Sequence, residues 1–192
     1  MSLAPELLTP HLVIGGARSG KSMYAEKLIE AYESPYVYIA TAQVLDAEMA
    51  DRVAKHRERR ADDWETLESP LALVDSLSSL VGGGKPVLVD CLTLWMSNLL
   101  LEDSISSPEE NVERLCEMLH VVDYPLVLVS NEVGCGVVPD NELGRRFRDL
   151  AGWANQRVAM ACSGVTWVTA GLPLPLKAES SHAPRRSAAG NV

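Results

Sequence analysis

Gly15-Gly16-Ala17-Arg18-Ser19-Gly20-Lys21-Ser22 follows a short apolar run, His11-Leu12-Val13-Ile14, that reads as a buried strand. The octet fits G-x-x-x-x-G-K-S, the pattern of a phosphate-binding loop. Glycines are needed there because successive backbone N–H groups must turn inward to the phosphate oxygens, and side chains would clash or forbid the dihedrals. Lys21 then reaches the terminal phosphates. Ser22 offers its hydroxyl to Mg²⁺, and the helix predicted over 22–32 points its positive end at the same anion. The bland alternative is a glycine-rich turn with a chance lysine; a strand before it and a helix after it argue for the phosphate loop.

The 192 residues suffice for one sizeable α/β domain and are too few for two ordinary ones. The expected division is a loose extension over 1–10, a nucleotide-binding domain over 11–177 and a disordered tail over 178–192, where small and polar residues dominate. A formal charge of −9 argues against general binding to nucleic acid or an acidic membrane. Any anion site must therefore be local. Cys91, Cys116, Cys135 and Cys162 form no C-x-x-C pair, and three lie in apolar surroundings, so buried thiols are expected rather than disulfides or zinc ligands. The first residues have no basic leader, and no run of 18 apolar residues occurs. These features imply a soluble, cytoplasmic protein without a membrane span.

Outward from the loop, Tyr36 to Ala40 is a second apolar strand and ends in Thr41-Ala42-Gln43. Ligands in open parallel sheets bind at the carboxyl ends of strands, which makes Ala40, Thr41 and Ala42 candidates for contact with a nucleotide. A charged helical stretch begins at Asp46, with Leu45, Met49 and Val53 as its apolar stripe. Its other faces concentrate base: Arg52, Lys55, Arg57, Arg59 and Arg60, with His56 among them. Trp64 to Glu68 alternates like a short strand, and a helix is expected over 71–81. Val87-Leu88-Val89-Asp90 is a buried strand ending in a carboxylate, the pattern of an acid that holds Mg²⁺ opposite Ser22. Helices follow over 91–101, from Pro108 to His120 and over 140–162; strands are expected over 126–130 and 165–169, with a short edge strand over 173–177 where proline is tolerated. Alternating strands and helices imply a mostly parallel sheet flanked by helices on both faces, an α/β fold of the P-loop NTPase type.

A phosphate loop paired with an acid supports three activities: small-molecule kinase, nucleotidyltransferase, or a non-enzymatic GTP-binding switch. A switch of the Ras type reads guanine with N-K-x-D after a late strand, whereas Asn131-Glu132-Val133-Gly134 lacks both the Lys and the Asp. His56 separates the other two. It is either a partly solvated helix-face histidine or a nucleophile, and the second role has a physical case. Imidazole attacks phosphorus only when neutral, and nearby guanidinium charges disfavour its protonation. The same arginines would stabilise a leaving pyrophosphate. Glu132 is open to a role as base or metal partner, or to none beyond its turn. Trp64 and Trp95 read as core side chains before stacking platforms.

Several blocks taken together are specific: GGARSGKS, YIATAQVLDAEMADRVAKHRERR, WETLE, VDCLTLWMSNL, SNEVGCGVVP and FRDLAGWANQR, in order from Gly15 to about Lys177. They resemble the bifunctional adenosylcobinamide kinase / adenosylcobinamide-phosphate guanylyltransferase family of cobalamin biosynthesis. The resemblance implies phosphorylation of the aminopropanol hydroxyl of adenosylcobinamide by ATP or GTP. It then implies transfer of GMP from GTP to adenosylcobinamide phosphate through a guanylylated histidine, which falls at His56. The family's nucleotide-contacting segments map onto Gly15 to Ser22, Ala40 to Ala42, Arg57-Glu58-Arg59-Arg60, Glu68 and Asp90. Some members resemble this chain less at the last position, carrying Glu, so Asp90 is a carboxylate one methylene shorter. Lys21 and His56 are the implied catalytic residues, Ser22 and Asp90 the Mg²⁺ ligands, and a homotrimer the implied assembly.

Overall fold

Val87 to Val89 and Leu126 to Val129 are continuous apolar runs rather than alternating ones, which suits strands covered on both faces. The computed structural model describes residues 7–43, 63–102 and 106–177, and it places these runs at the centre of one seven-stranded sheet. The strands are β1 (His11–Gly15), β2 (Tyr36–Ala40), β3 (Trp64–Glu68), β4 (Val87–Asp90), β5 (Leu126–Asn131), β6 (Gly164–Thr169) and β7 (Leu172–Lys177). Their order is β3-β2-β4-β5-β1-β6-β7. Every neighbouring pair is parallel except β6 and β7, which form an antiparallel hairpin. β7 lies at the edge, as expected for a strand carrying Pro173 and Pro175.

Alternation along the strands sorts the core into two faces. Val13, Tyr36, Tyr38, Leu88, Val127 and Val129 meet Ala25 and Ile29 of α1 (Lys21–Ile29). Leu12, Val37, Ile39, Val87, Val89, Leu126 and Leu128 face the other way. There they meet α2 (Leu73–Ser79), α3 (Leu92–Leu101), α4 (Pro108–Leu119) and α5 (Glu142–Ala161). The α/β sheet with helices on both faces is thus observed. The crossover from β1 to β2 runs toward the β3 edge, whereas those into β4, β5 and β6 run toward the β7 edge. Right-handed connections in opposite directions must put their helices on opposite faces, and they do.

Local chemistry trims the expected helices. Asn141, not Asp140, caps α5, its Oδ1 accepting the Gly144 N–H at 2.7 Å. Ser107 and Glu110 form a reciprocal capping box ahead of α4, with Pro108 in the first turn. The helix expected over 71–81 is shorter because the Leu71 carbonyl accepts the indole N–H of Trp95 instead, at 2.9 Å. Trp95 is a core residue, 1% exposed. Trp64 packs its ring on Tyr36 and Tyr38. Cys91, Cys116 and Cys162 are buried thiols and Cys135 is exposed. Among the described residues no helix is long and apolar enough to cross a membrane.

The residues just before β1 are attached to the sheet. Leu7 packs on the α1-face core, and the Pro10 carbonyl accepts the Ser163 N–H at 2.9 Å. His11 Nδ1–H donates to the Leu8 carbonyl at 3.1 Å, which leaves Nε2 to accept the Thr166 hydroxyl at 2.9 Å. Burial lowers the His11 pKa, against a smaller upward pull from the Leu8 bond. The folded protein therefore holds a neutral imidazole that the unfolded chain protonates below its ordinary pKa of 6.5. This contribution is intact above that pH and is lost as pH falls below it, at no more than about 1.4 kcal/mol per pH unit. Urea unfolding of the wild type should show a steeper stability loss between neutral and mildly acid pH than that of His11→Gln.

Candidate active site

The carboxyl edge of the sheet gathers the ends of β1, β2, β4 and β5. Gly15 closes β1, and there is no room for a side chain: a Cβ built there would collide with the Val168 carbonyl oxygen and lie 2.7 Å from Ser19 Oγ. The loop then turns back. Arg18 takes a positive φ of 55°, and Gly20, with φ 93°, leads into α1. No side chain caps α1 and no acid stands in its first turn, so its positive end opens on the space inside the loop. A Cβ at Gly16 would meet nothing within 4 Å, so that glycine leaves open space rather than relieving a contact. Lys21 Nζ donates to the Gly16 carbonyl at 3.3 Å, folding the lysine over the loop it belongs to.

The loop is braced from outside by the β6–β7 turn. Ala170 and Gly171 have φ of 50° and 79°, and the Gly171 N–H donates to the Ser19 carbonyl at 2.8 Å. The Gly171 Cα lies 3.3 Å from where a Cβ on Gly20 would sit. Sequence reasoning missed this brace; the signal available was a glycine between two short strands, the mark of a tight hairpin.

Asp90 ends β4. By strand parity it shares the face of Leu88, the α1 face, and its Oδ2 accepts the Tyr38 hydroxyl at 3.3 Å. In register Asp90 is level with Val129, and Val129 with Val13, so two strand spacings, about 10 Å, separate it laterally from β1. The following thiol, Cys91, is pushed up to about 12 by burial first and by the Asp90 charge second, while the Lys21 ammonium pulls it down. Lys21 and Asp90 thus act on one point of the edge, and Cys91 stays a protonated thiol there.

Thr41 is fully buried. Its hydroxyl accepts the Cys91 N–H at 2.8 Å and donates to the Cys91 carbonyl at 2.7 Å, tying the end of β2 to the end of β4. Asn98 of α3 donates to the carbonyls of Thr41 and Pro70, at 2.8 and 2.9 Å. Ala40 pairs with Asp90 on one side and Glu68 on the other. Glu68 ends the edge strand β3, four strand spacings or about 19 Å from β1, too far to touch the phosphates held by the loop. Glu132 Oε1 accepts the N–H groups of Gly134 and Cys135, which closes its own turn. His56 and Arg57, Glu58, Arg59 and Arg60 lie outside the described residues. The Asp63 carbonyl, just ahead of β3, accepts the Tyr36 N–H at 2.8 Å.

Against this geometry, comparison with known families decides the class. The model of the cobinamide kinase / cobinamide phosphate guanyltransferase family matches residues 11–176. The chain belongs to this family. It is 51% identical over 168 residues to the bifunctional adenosylcobalamin biosynthesis protein CobP of Pseudomonas aeruginosa, covering 88% of this chain and 97% of that one. It is 37% identical over 182 residues to the bifunctional adenosylcobalamin biosynthesis protein CobU of Escherichia coli K12, covering 86% and 98%. Among solved structures it is similar to the type III secretion ATPase EscN of enteropathogenic E. coli, with a TM-score of 0.51 and 11% identity over 83% of this chain and 43% of that one. A protein of Pyrococcus horikoshii OT3 superposes with a TM-score of 0.53 and 9% identity over 89% and 87%. These two likenesses concern the fold alone.

Thr41 holds the ends of β2 and β4 in place. Thr41→Val keeps the shape but leaves the buried Cys91 N–H without its partner, while the Cys91 carbonyl keeps the Trp95 N–H at 3.2 Å; the change should cost about 2 kcal/mol. Urea unfolding measures this directly, and Ser at the same position should recover most of the loss.

Proposed function

We propose that the protein phosphorylates the aminopropanol hydroxyl of adenosylcobinamide with ATP or GTP, and then transfers GMP from GTP to the resulting adenosylcobinamide phosphate through guanylylated His56. The observation that carries this reading is the loop Gly15–Ser22 opening at the start of α1, with Asp90 on the same face two strands away. It is the arrangement that phosphoryl and nucleotidyl transfer need: donors around the phosphates and a carboxylate for their cation. Family membership supplies the acceptor.

In the first reaction the loop amides and Lys21 hold the triphosphate while the substrate hydroxyl attacks the terminal phosphorus, and the nucleoside diphosphate leaves. In the second, neutral His56 attacks the α-phosphorus of GTP, a P–N bond forms and pyrophosphate departs. Arg57, Arg59 and Arg60 neutralise the charge that develops on it. A phosphate oxygen of the cobinamide then attacks the same phosphorus, the P–N bond breaks, and adenosyl-GDP-cobinamide is released with His56 neutral again. Glu58, Glu68, Ala40 and Ala42 contact the nucleotide away from the loop in this reading, and Thr41 positions the strand ends between them. Residues 11–177 form the catalytic unit, and a homotrimer is its assembly by family likeness.

Ser22 and Asp90 would hold Mg²⁺. The donor set fits in kind: a hydroxyl and a carboxylate are hard oxygen ligands, and Mg²⁺ typically takes one or two protein ligands beside phosphate and water. When bound, it would draw charge from the phosphate oxygens. Tyr38 fixes one oxygen of Asp90, its hydroxyl donating to Oδ2 at 3.3 Å.

The test is incubation with Mg²⁺ and α- or γ-labelled GTP without cobinamide, followed by denaturation. Label should stay on the protein from the α position only, labile to acid, stable to alkali and absent in His56→Asn. If neither label remains, guanylyl transfer through His56 is lost and a phosphate-loop kinase is left. Lys21→Ala should reduce both reactions by about 10² or more.

A further inference from the structure

Two buried polar atoms beside the phosphate loop have no hydrogen-bond partner among the described residues: Ser19 Oγ and Asn131 Oδ1. Asn131 is the last residue of β5, the strand that separates the loop strand from the Asp90 strand. In register it stands beside Gly15, two residues nearer the carboxyl edge than the level of Asp90. Parity places it with Val127 and Val129 on the α1 face, where the loop opens.

Its backbone is fully engaged elsewhere. The Asn131 N–H donates to Thr93 Oγ1 at 2.7 Å, and its carbonyl accepts Asn155 Nδ2 at 3.0 Å. The preceding residue, Ser130, donates to Asn155 Oδ1 at 2.7 Å from the opposite face of the sheet. Three side chains from α3, β5 and α5 thus clamp the end of this strand. The side chain of Asn131 alone remains without a described partner for its shielded atom. A carboxamide can turn over and present either its oxygen or its N–H donors to the same point, and beside an anion the donors face it.

We propose that the Asn131 carboxamide donates to the terminal phosphate of the bound nucleoside triphosphate and so distinguishes triphosphate from diphosphate. This rests on the reading of Gly15–Ser22 as the nucleotide's phosphate loop. Lys21 reaches the last two phosphates and the Asp90 side carries their cation. Asn131 lies on the strand between these two positions, which is where the end of the phosphate chain must fall. Asn131, in the stretch that lacks the Lys and Asp of N-K-x-D, thereby acquires a role in reading the phosphates.

Titration calorimetry in Mg²⁺ buffer with a non-hydrolysable GTP analogue and with GDP tests it. Asn131→Ala should weaken the triphosphate analogue about tenfold or more, the worth of a hydrogen bond to a charged group, and leave GDP within about twofold. Its unliganded melting temperature should be unchanged or higher, since an unsatisfied buried atom has gone. Asn131→Asp keeps the shape and removes the donors, and its loss for the triphosphate should exceed that of Ala; it decides the matter should the Ala variant not fold. Equal losses for both nucleotides, or no loss for either variant, overturn the proposal. If the wild type binds neither nucleotide, the phosphate-loop reading itself fails. Lys21→Ala, expected to lose both ligands, marks that separate outcome.

Discussion

The absence of room at Gly15 governs the rest of the site. β1 lies between β5 and β6, so its last residue has a backbone on each side, and the Val168 carbonyl occupies the place of a Cβ. With the strand held so closely, the chain must turn sharply off the sheet edge, and it does so through the positive φ of Arg18 and Gly20. The turn aims α1 back across the sheet with its first N–H groups at the edge. The brace from Gly171 to the Ser19 carbonyl then holds the loop open. An arrangement built before the ligand arrives needs little reorganisation when charge moves on a phosphate, which is the main source of rate in such transfers.

Charge is arranged on the same principle of local exception. A chain of net charge −9 repels polyphosphates at long range, so the site must be attractive at short range. The first turn of α1 holds no acid, and Lys21 sits over the loop. The acid that does approach, Asp90, is set two strands away and tethered by Tyr38. A carboxylate there can share a cation with the phosphates without lying against them.

The elements legible in the sequence were those with strong local signals. Trp64–Glu68 and Tyr36–Ala40 have the expected bounds, the phosphate loop stands between its strand and helix, and Pro173–Lys177 falls on an edge strand. The order of the strands was not legible. That β5 inserts between β1 and β4 depends on long-range pairing, and it is this insertion that puts Asn131 beside Gly15. Thr41 is the instructive case. Its place at a strand end marked it as a nucleotide contact, while its hydroxyl is bound on both sides to Cys91, a partner 50 residues away. Spacing along a chain carries helix faces and strand parity, but not which distant backbone a buried hydroxyl will join.

Fold and chemistry part company in the connection from β2 to β3. The likeness to EscN at 11% identity concerns the fold alone. A shared fold does not choose the atom that is attacked. The residues that would make that choice, His56 and its arginines, occur in the stretch between Gln43 and Asp63. Its two ends are anchored by β2, whose Thr41 is tied to β4, and by β3, which pairs with β2 along its whole length. In the proposed function the nucleophile comes from this stretch, while the groups at the terminal phosphate come from the loop over 15–22. In the proposed function that separation lets one domain run both a kinase reaction and a nucleotidyl transfer, because the two attacks fall on different phosphorus atoms of a nucleoside triphosphate.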